Sequence, residues 1–133
     1  MVAAIQEREN SDGRRGRPPI EDEALAAVAA LRPEAADELV GKIISLYLDS
    51  SLSLVREVRR AAEVNNADAL YRAAHTLKSS SASLGAVILS EMARDLEMIG
   101  RGKTQGDAIS LLAALEWEYE RVRAALEARL KRG

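Results

Sequence analysis

From Glu21 to Leu130 the apolar residues of this chain recur at intervals of three and four, and period-two alternation is absent. Such spacing stacks side chains along one face of a helix, and abundant alanine argues against strands. "EDEALAAVAAL" reads as a short helix stopped at Arg32, because Pro33 disfavours helical geometry in the residue before it. Pro33 is placed to begin a second helix that runs to about Val64, with Leu39, Ile43, Leu46, Leu54 and Val58 as its core stripe. Asp49, Ser50 and Ser51 mark a point where this helix can kink or divide. Asn65 and Asn66 form a turn, Asn66 caps a third helix, and Gly85 ends it. A fourth helix carries Leu89, Met92, Leu96 and Ile99 before the glycine-rich "GRGKTQGD" breaks it. The last, from about Asp107 to Leu130, aligns Leu112, Leu115, Tyr119, Val122 and Leu126. Four long amphipathic helices on short loops predict an all-α fold, an antiparallel four-helix bundle with a short additional N-terminal helix.

A chain of 133 residues suits one domain with one core. Residues 1–19 are polar and rich in Gly, Arg and Pro, which predicts a flexible leader or linker, leaving 20–133 as the bundle domain. The absence of cysteine excludes disulfides, thiolate metal sites and cysteine nucleophiles. A single histidine adds no metal-ligand spacing, and neither a P-loop, a G-x-G-x-x-G nor a G-x-S-x-G is present, so no metal or cofactor of its own is expected. A net charge of −2 gives no general attraction to nucleic acid or membrane. "RRGRPP" resembles the core of an AT-hook, but one short match on an acidic chain is better explained as linker. No apolar run approaches the ~20 residues that span a bilayer, and the N-terminus lacks a signal peptide's apolar segment, so a cytoplasmic protein is expected.

"AAHTLKSSSASLGA", residues 73–86, contains the one histidine. At about 100° per residue, Leu70, Ala73, Ala74, Leu77, Ser81 and Leu84 fall within an arc of about 100°, the buried stripe. His75 lies about 150° from the middle of that arc and faces outward. Lys78 sits between the histidine and the core edge, while Ser79 and Ala82 continue the histidine's stripe. The imidazole thus stands on a track of small side chains, open to a partner's backbone or a tetrahedral anion. Imidazole, with an unperturbed pKa of about 6.5, is a nucleophile near neutrality and can carry a covalent intermediate. A nearby cation favours negative charge on a phosphoryl group attached there.

This segment closely resembles the core motif of the histidine-containing phosphotransfer (HPt) domain family, usually A-H-x-L-K-G-S-S-x-x-x-G-A. The likeness extends over roughly residues 21–130: "ELVGKIISLYLDSSLSLVREV" resembles the family's long second helix, "NNADALYRAAH" its approach to the histidine, and "LEWEYERVRAAL" its final helix. The resemblance implies that His75 is the phosphoryl acceptor, that Lys78 supports the phosphate and that Gly85 ends the active helix. It also implies that Glu97, where the family often has a polar residue on the adjacent helix, orients the imidazole; the alternative is a free surface glutamate. Ser79 replaces the glycine that commonly follows the lysine, and Tyr47 stands where the second helix commonly has an aromatic.

The implied partners are response-regulator receiver domains, which bring their own Mg²⁺, and a hybrid sensor histidine kinase. The chain is then either free-standing or the C-terminal module of such a membrane-anchored kinase, acting as a monomer. Tyr71, Arg72, Ser79 and Ala82 are assigned to the docking surface. Ile44 and Leu48 belong to a broadened apolar face of the second helix that either packs under the first helix or joins that surface. This describes a phosphocarrier with phosphotransferase chemistry and not a kinase, since there is no ATP site. The alternative is a non-catalytic helical adaptor.

Overall fold

The computed structural model describes residues 16–102 and 106–132. Among them are five α-helices: α1 (Asp22–Leu31), α2 (Ala36–Glu63), α3 (Ala67–Ser83), α4 (Val87–Gly100) and α5 (Ala108–Arg132). Pro33 opens a 3₁₀ turn, Pro33–Ala35, instead of α2 itself. α2 packs on α3, α3 on α4, and α5 closes the ring against both α4 and α2, while α1 lies against α2. The pairings Tyr47 with Ser81, Ser51 with Tyr119, and His75 with Glu97 run antiparallel around that ring. The result is an all-α antiparallel bundle with a short additional N-terminal helix.

Local chemistry sets the ends of α3. Asn65 adopts φ 56° in the preceding turn, and the Asn66 side chain accepts a hydrogen bond from the Ala69 N–H at 3.0 Å. At the other end, Gly85 N–H donates to the Ala82 carbonyl at 3.1 Å and Ala86 N–H to that of Ser81 at 2.9 Å. This paired closure needs a left-handed residue, supplied by Gly85 at φ +83°. Glu21 N–H also donates to the Gly85 carbonyl at 2.8 Å, so α1 begins against the end of α3.

The buried arc of α3 is the one its periodicity predicts, with Leu70, Ala73, Ala74, Leu77, Ser81 and Leu84 all inside. On α2 the core stripe differs. Leu46 is 59% exposed, whereas Val40, Ile44, Tyr47, Ser51, Val55 and Val58 point inward. Ile44 is fully buried, so the expectation that it contributes to a docking surface is corrected, whereas Leu48 packs half-buried on the core and keeps part of its side chain open. The cause is a pair of polar core positions. Tyr47 and Ser81 hydroxyls meet at 2.8 Å, as do those of Ser51 and Tyr119. A pattern built only on apolar residues skips Tyr47 and Ser51 and turns the helix by about 80°. Because Ser51 takes its partner across the core, α2 also runs unbroken through Asp49–Ser51. Burial pushes the Tyr47 phenol well above its ordinary pKa, against the hydrogen bond with Ser81 that lowers it, so it stays protonated.

Residues 1–15 of the expected leader lie outside the described residues, including Arg14 and Arg15 of "RRGRPP". Its last residues touch the bundle. Arg17 pairs with Glu91 at 3.2 Å and Glu21 at 3.6 Å, and its carbonyl accepts from Arg121 at 3.0 Å. Arg121 also holds the buried Glu118 at 2.7 Å.

Gly85→Ala tests the α3 terminus, since an added Cβ would overlap the Glu21 carbonyl oxygen at a backbone conformation L-residues rarely adopt. A loss of about 1–3 kcal/mol is expected, read as a lowered urea midpoint.

Candidate functional site

Two antiparallel helices, α3 and α4, build the site. Small residues let them approach closely: Ala74 and Ala93 are fully buried, and a Cβ at Gly100 would lie 2.7 Å from the Tyr71 nitrogen and 2.9 Å from the Ala67 carbonyl oxygen. Ser90 Oγ donates to the Lys78 carbonyl at 2.8 Å, tying the helices at a second level. Between these two contacts, His75 faces Glu97.

The His75 side chain is 52% exposed while that of Glu97 is 3% exposed. His75 Nδ1 lies 2.9 Å from Glu97 Oε2, and Lys78 Nζ, on a side chain 30% exposed, lies 2.6 Å from Glu97 Oε1. Burial opposes ionisation of Glu97, but the hydrogen bonds and charges of Lys78 and His75 outweigh it and hold the carboxyl below the usual carboxylate range. An ionised carboxylate only accepts, so Nδ1 carries the proton of the Nδ1···Oε2 bond. In the neutral ring the free lone pair is therefore on Nε2.

Arg72, Ser79 and Ala82 are exposed around the ring and Tyr71 is half-buried. Arg72 is paired with Asp68 at 3.2 Å. The Tyr71 ring lies 5.9 Å from that of His75, and the Arg101 guanidinium sits 5.2 Å above Tyr71. Arg101 escapes a reading confined to the histidine's helix, because only the α3–α4 contact brings it here. Beside α3, a groove of about 400 Å³ toward α2 is lined by Leu54, Val64, Ala69, Arg72 and Thr76. Among the described residues no three His, Cys, Asp or Glu side chains are grouped to hold a metal ion.

A nucleophilic nitrogen presented on an open helical flank suits group transfer with a macromolecule, and the family comparison agrees. The family description "Hpt domain" matches residues 42–125, a span that includes His75, Lys78 and Glu97. The chain belongs to the Hpt domain family. Its function is histidine phosphotransfer in a two-component phosphorelay, in which Hpt domains receive phosphoryl groups from receiver domains or kinases. The Hpt fold here is similar to the crystal structure of histidine-containing phosphotransfer protein B (HptB) from Pseudomonas aeruginosa PAO1, with a TM-score of 0.78 and 24% sequence identity. The match covers 89% of this chain and 99% of that one. No curated protein matches the chain. Among the described residues no helix of this Hpt domain is long and apolar enough to cross a membrane.

The buried carboxylate generates a pH prediction. A carboxyl held below its unfolded pKa stabilises the fold above the unfolded value, about 4.3 for glutamate, and loses that contribution as pH falls through the folded value. Glu97→Gln is expected to cost about 1 kcal/mol at pH 7, with the difference from wild type shrinking in acid. Urea unfolding of both proteins between pH 7 and pH 3 measures it.

Proposed function

We propose that His75 is the phosphoryl acceptor of this Hpt domain, with a receiver aspartyl phosphate as donor and a second receiver as acceptor. The observation that carries this reading is a half-exposed imidazole whose Nδ1 is engaged by a buried, ionised carboxylate at 2.9 Å. That bond holds the ring at a fixed angle with the Nε2 lone pair directed away from α4. In the forward step Nε2 attacks the phosphorus of the acyl phosphate, the N–P bond forms, and the P–O bond to the aspartate breaks. The aspartate leaves as a carboxylate. The Nδ1 proton stays on the ring, where Glu97 offsets the positive charge that develops during attack. The second transfer reverses these changes on a new aspartate.

Lys78 supports the phosphoryl group, and Glu97 acts through the imidazole as a positioning residue. The receiver supplies Mg²⁺ and most of the charge stabilisation, while this domain contributes geometry and an accessible nucleophile. The exposed side chains of Arg72, Ser79 and Ala82, with Tyr71, form the surface a receiver meets. A phosphocarrier that exchanges with receivers and a hybrid sensor kinase works in the cytoplasm, as a free protein or as a module of that kinase.

Incubation with a phosphorylated receiver is expected to yield acid-labile, base-stable label in wild type and none in His75→Gln. Equal label in the variant would move the phosphate to another residue. For Lys78→Ala, stopped-time transfer assays are expected to show roughly tenfold slower transfer with an unchanged helical spectrum.

A further inference from the structure

Lys78 is held by α4 at both ends. Its ammonium lies 2.6 Å from Glu97 Oε1, and its backbone carbonyl accepts a hydrogen bond from the Ser90 hydroxyl at 2.8 Å. A carbonyl inside a helix already receives the N–H four residues ahead, so the hydroxyl is an additional donor. Hydroxyls inside helices commonly bond back to their own preceding turn. Thr76, Ser80 and Ser83 do so here, on the carbonyls of Arg72, Leu77 and Ser79. Ser90, half-buried in the first turn of α4, instead reaches across to α3. Its side chain is not needed to continue α4, because its own N–H donates to the Ala86 carbonyl at 3.0 Å.

Ser90 and Glu97 are seven residues apart on α4, which places them within about 20° of one another around the helix and about 10 Å apart along it. A bond that fixes the rotation of one therefore fixes the other. The remaining contacts leave that rotation loose. The apolar residues Ile88, Leu89, Met92, Ala93, Leu96 and Ile99 spread over an arc of about 140°, a broad face that can turn without leaving the core. Gly100 sets how near the helices come at the far end, but a bare Cα carries no directional bond. A turn of about 20° moves a group at the helix's outer radius of about 5–6 Å by about 2 Å. That is enough to part the 2.9 Å bond between His75 Nδ1 and Glu97 Oε2.

We infer that Ser90 is a positioning residue for phosphotransfer: its bond to the Lys78 carbonyl sets the rotation of α4 at which one carboxylate reaches both His75 Nδ1 and Lys78 Nζ. This rests on the assignment of His75 as acceptor. With the hydroxyl in place, Glu97 keeps the ring proton on Nδ1 and the lone pair on Nε2. Without it, α4 turns within its apolar arc, the carboxylate moves off the ring, and the proton is free to occupy Nε2. A neutral ring protonated on Nε2 has no lone pair there with which to attack phosphorus.

The full chain carries the test in Ser90→Ala, Ser90→Thr, Glu97→Gln and the double variant Ser90→Ala/Glu97→Gln, each checked for an unchanged helical spectrum. Ring ¹⁵N shifts of neutral His75 need no partner. The ratio of the Nδ1–H to the Nε2–H form is expected to fall about two- to fivefold in Ser90→Ala, the loss that a weakened hydrogen bond gives. With a phosphorylated receiver, the saturating transfer rate should drop about three- to tenfold in Ser90→Ala, with the half-saturating receiver concentration unchanged. Ser90→Thr, which keeps the hydroxyl, should restore most of that rate. In the Glu97→Gln background, removing the Ser90 hydroxyl should slow transfer by less than about 1.5-fold, because Ser90 acts through Glu97. A tautomer ratio unchanged in Ser90→Ala, a loss that appears as a raised half-saturating concentration, or a full further loss on top of Glu97→Gln would overturn the inference while leaving the acceptor assignment intact. Failure of wild type to form phosphohistidine, or equal labelling of His75→Gln, would remove the acceptor assignment and with it the role of Ser90 in transfer.

Discussion

The ionised carboxylate of Glu97, buried between two antiparallel helices, is the constraint on which the site depends. A buried charge is tolerated only when it is compensated, and here the imidazole bonds one oxygen while the ammonium forms an ion pair with the other at 2.6 Å. Both partners reach outward from the same carboxylate, so desolvating one residue orients two exposed ones. The arrangement requires α4 to lie close against α3, which the alanines at the contact, the serine hydroxyl on the Lys78 carbonyl and the bare Cα of Gly100 permit. A side chain at Gly100 would meet the α3 backbone at Tyr71 and Ala67, so the two helices would have to part there.

Rotation of α3 about its own axis is set from the opposite side. Tyr47 and Ser51 of α2 carry their hydroxyls into the core, where Ser81 of α3 and Tyr119 of α5 receive them. Buried hydroxyls are costly unless paired, so these bonds penalise any slip or turn that would separate them. Apolar contacts alone tolerate such adjustments more readily. Ser81 lies inside while His75 lies outside on the same helix, so the hydroxyl pair that fixes one also fixes the direction of the other.

The chemistry of phosphotransfer suits this economy of parts. The domain presents a half-exposed imidazole on an open flank, with an aromatic ring and two cations close by. Lys78 is held by Glu97, and Arg101 rests on an aromatic face. The same helical crossing thus serves both the ring's orientation and the distribution of charge around it.

The outward direction of His75, the buried arc of α3 and the glycine closure at residue 85 were legible in the chain, because each depends on helical geometry or on the conformational range of one residue type. The HPt motif added the identity of the residues around the imidazole. The facing of α2 was only partly legible: its broadened apolar face, with Ile44, was visible, but the polar Tyr47 and Ser51 that lie at the centre of the buried side gain entry to the core only through partners dozens of positions away. The resemblance pointed to Glu97 beside the imidazole, but its simultaneous pairing with Lys78 and the approach of Arg101 to Tyr71 were not legible, because these separations exist only after α4 has folded back onto α3. Periodicity along one chain specifies which face of a helix is apolar; which polar atoms meet across the gap is decided by how closely and at what register two helices pack.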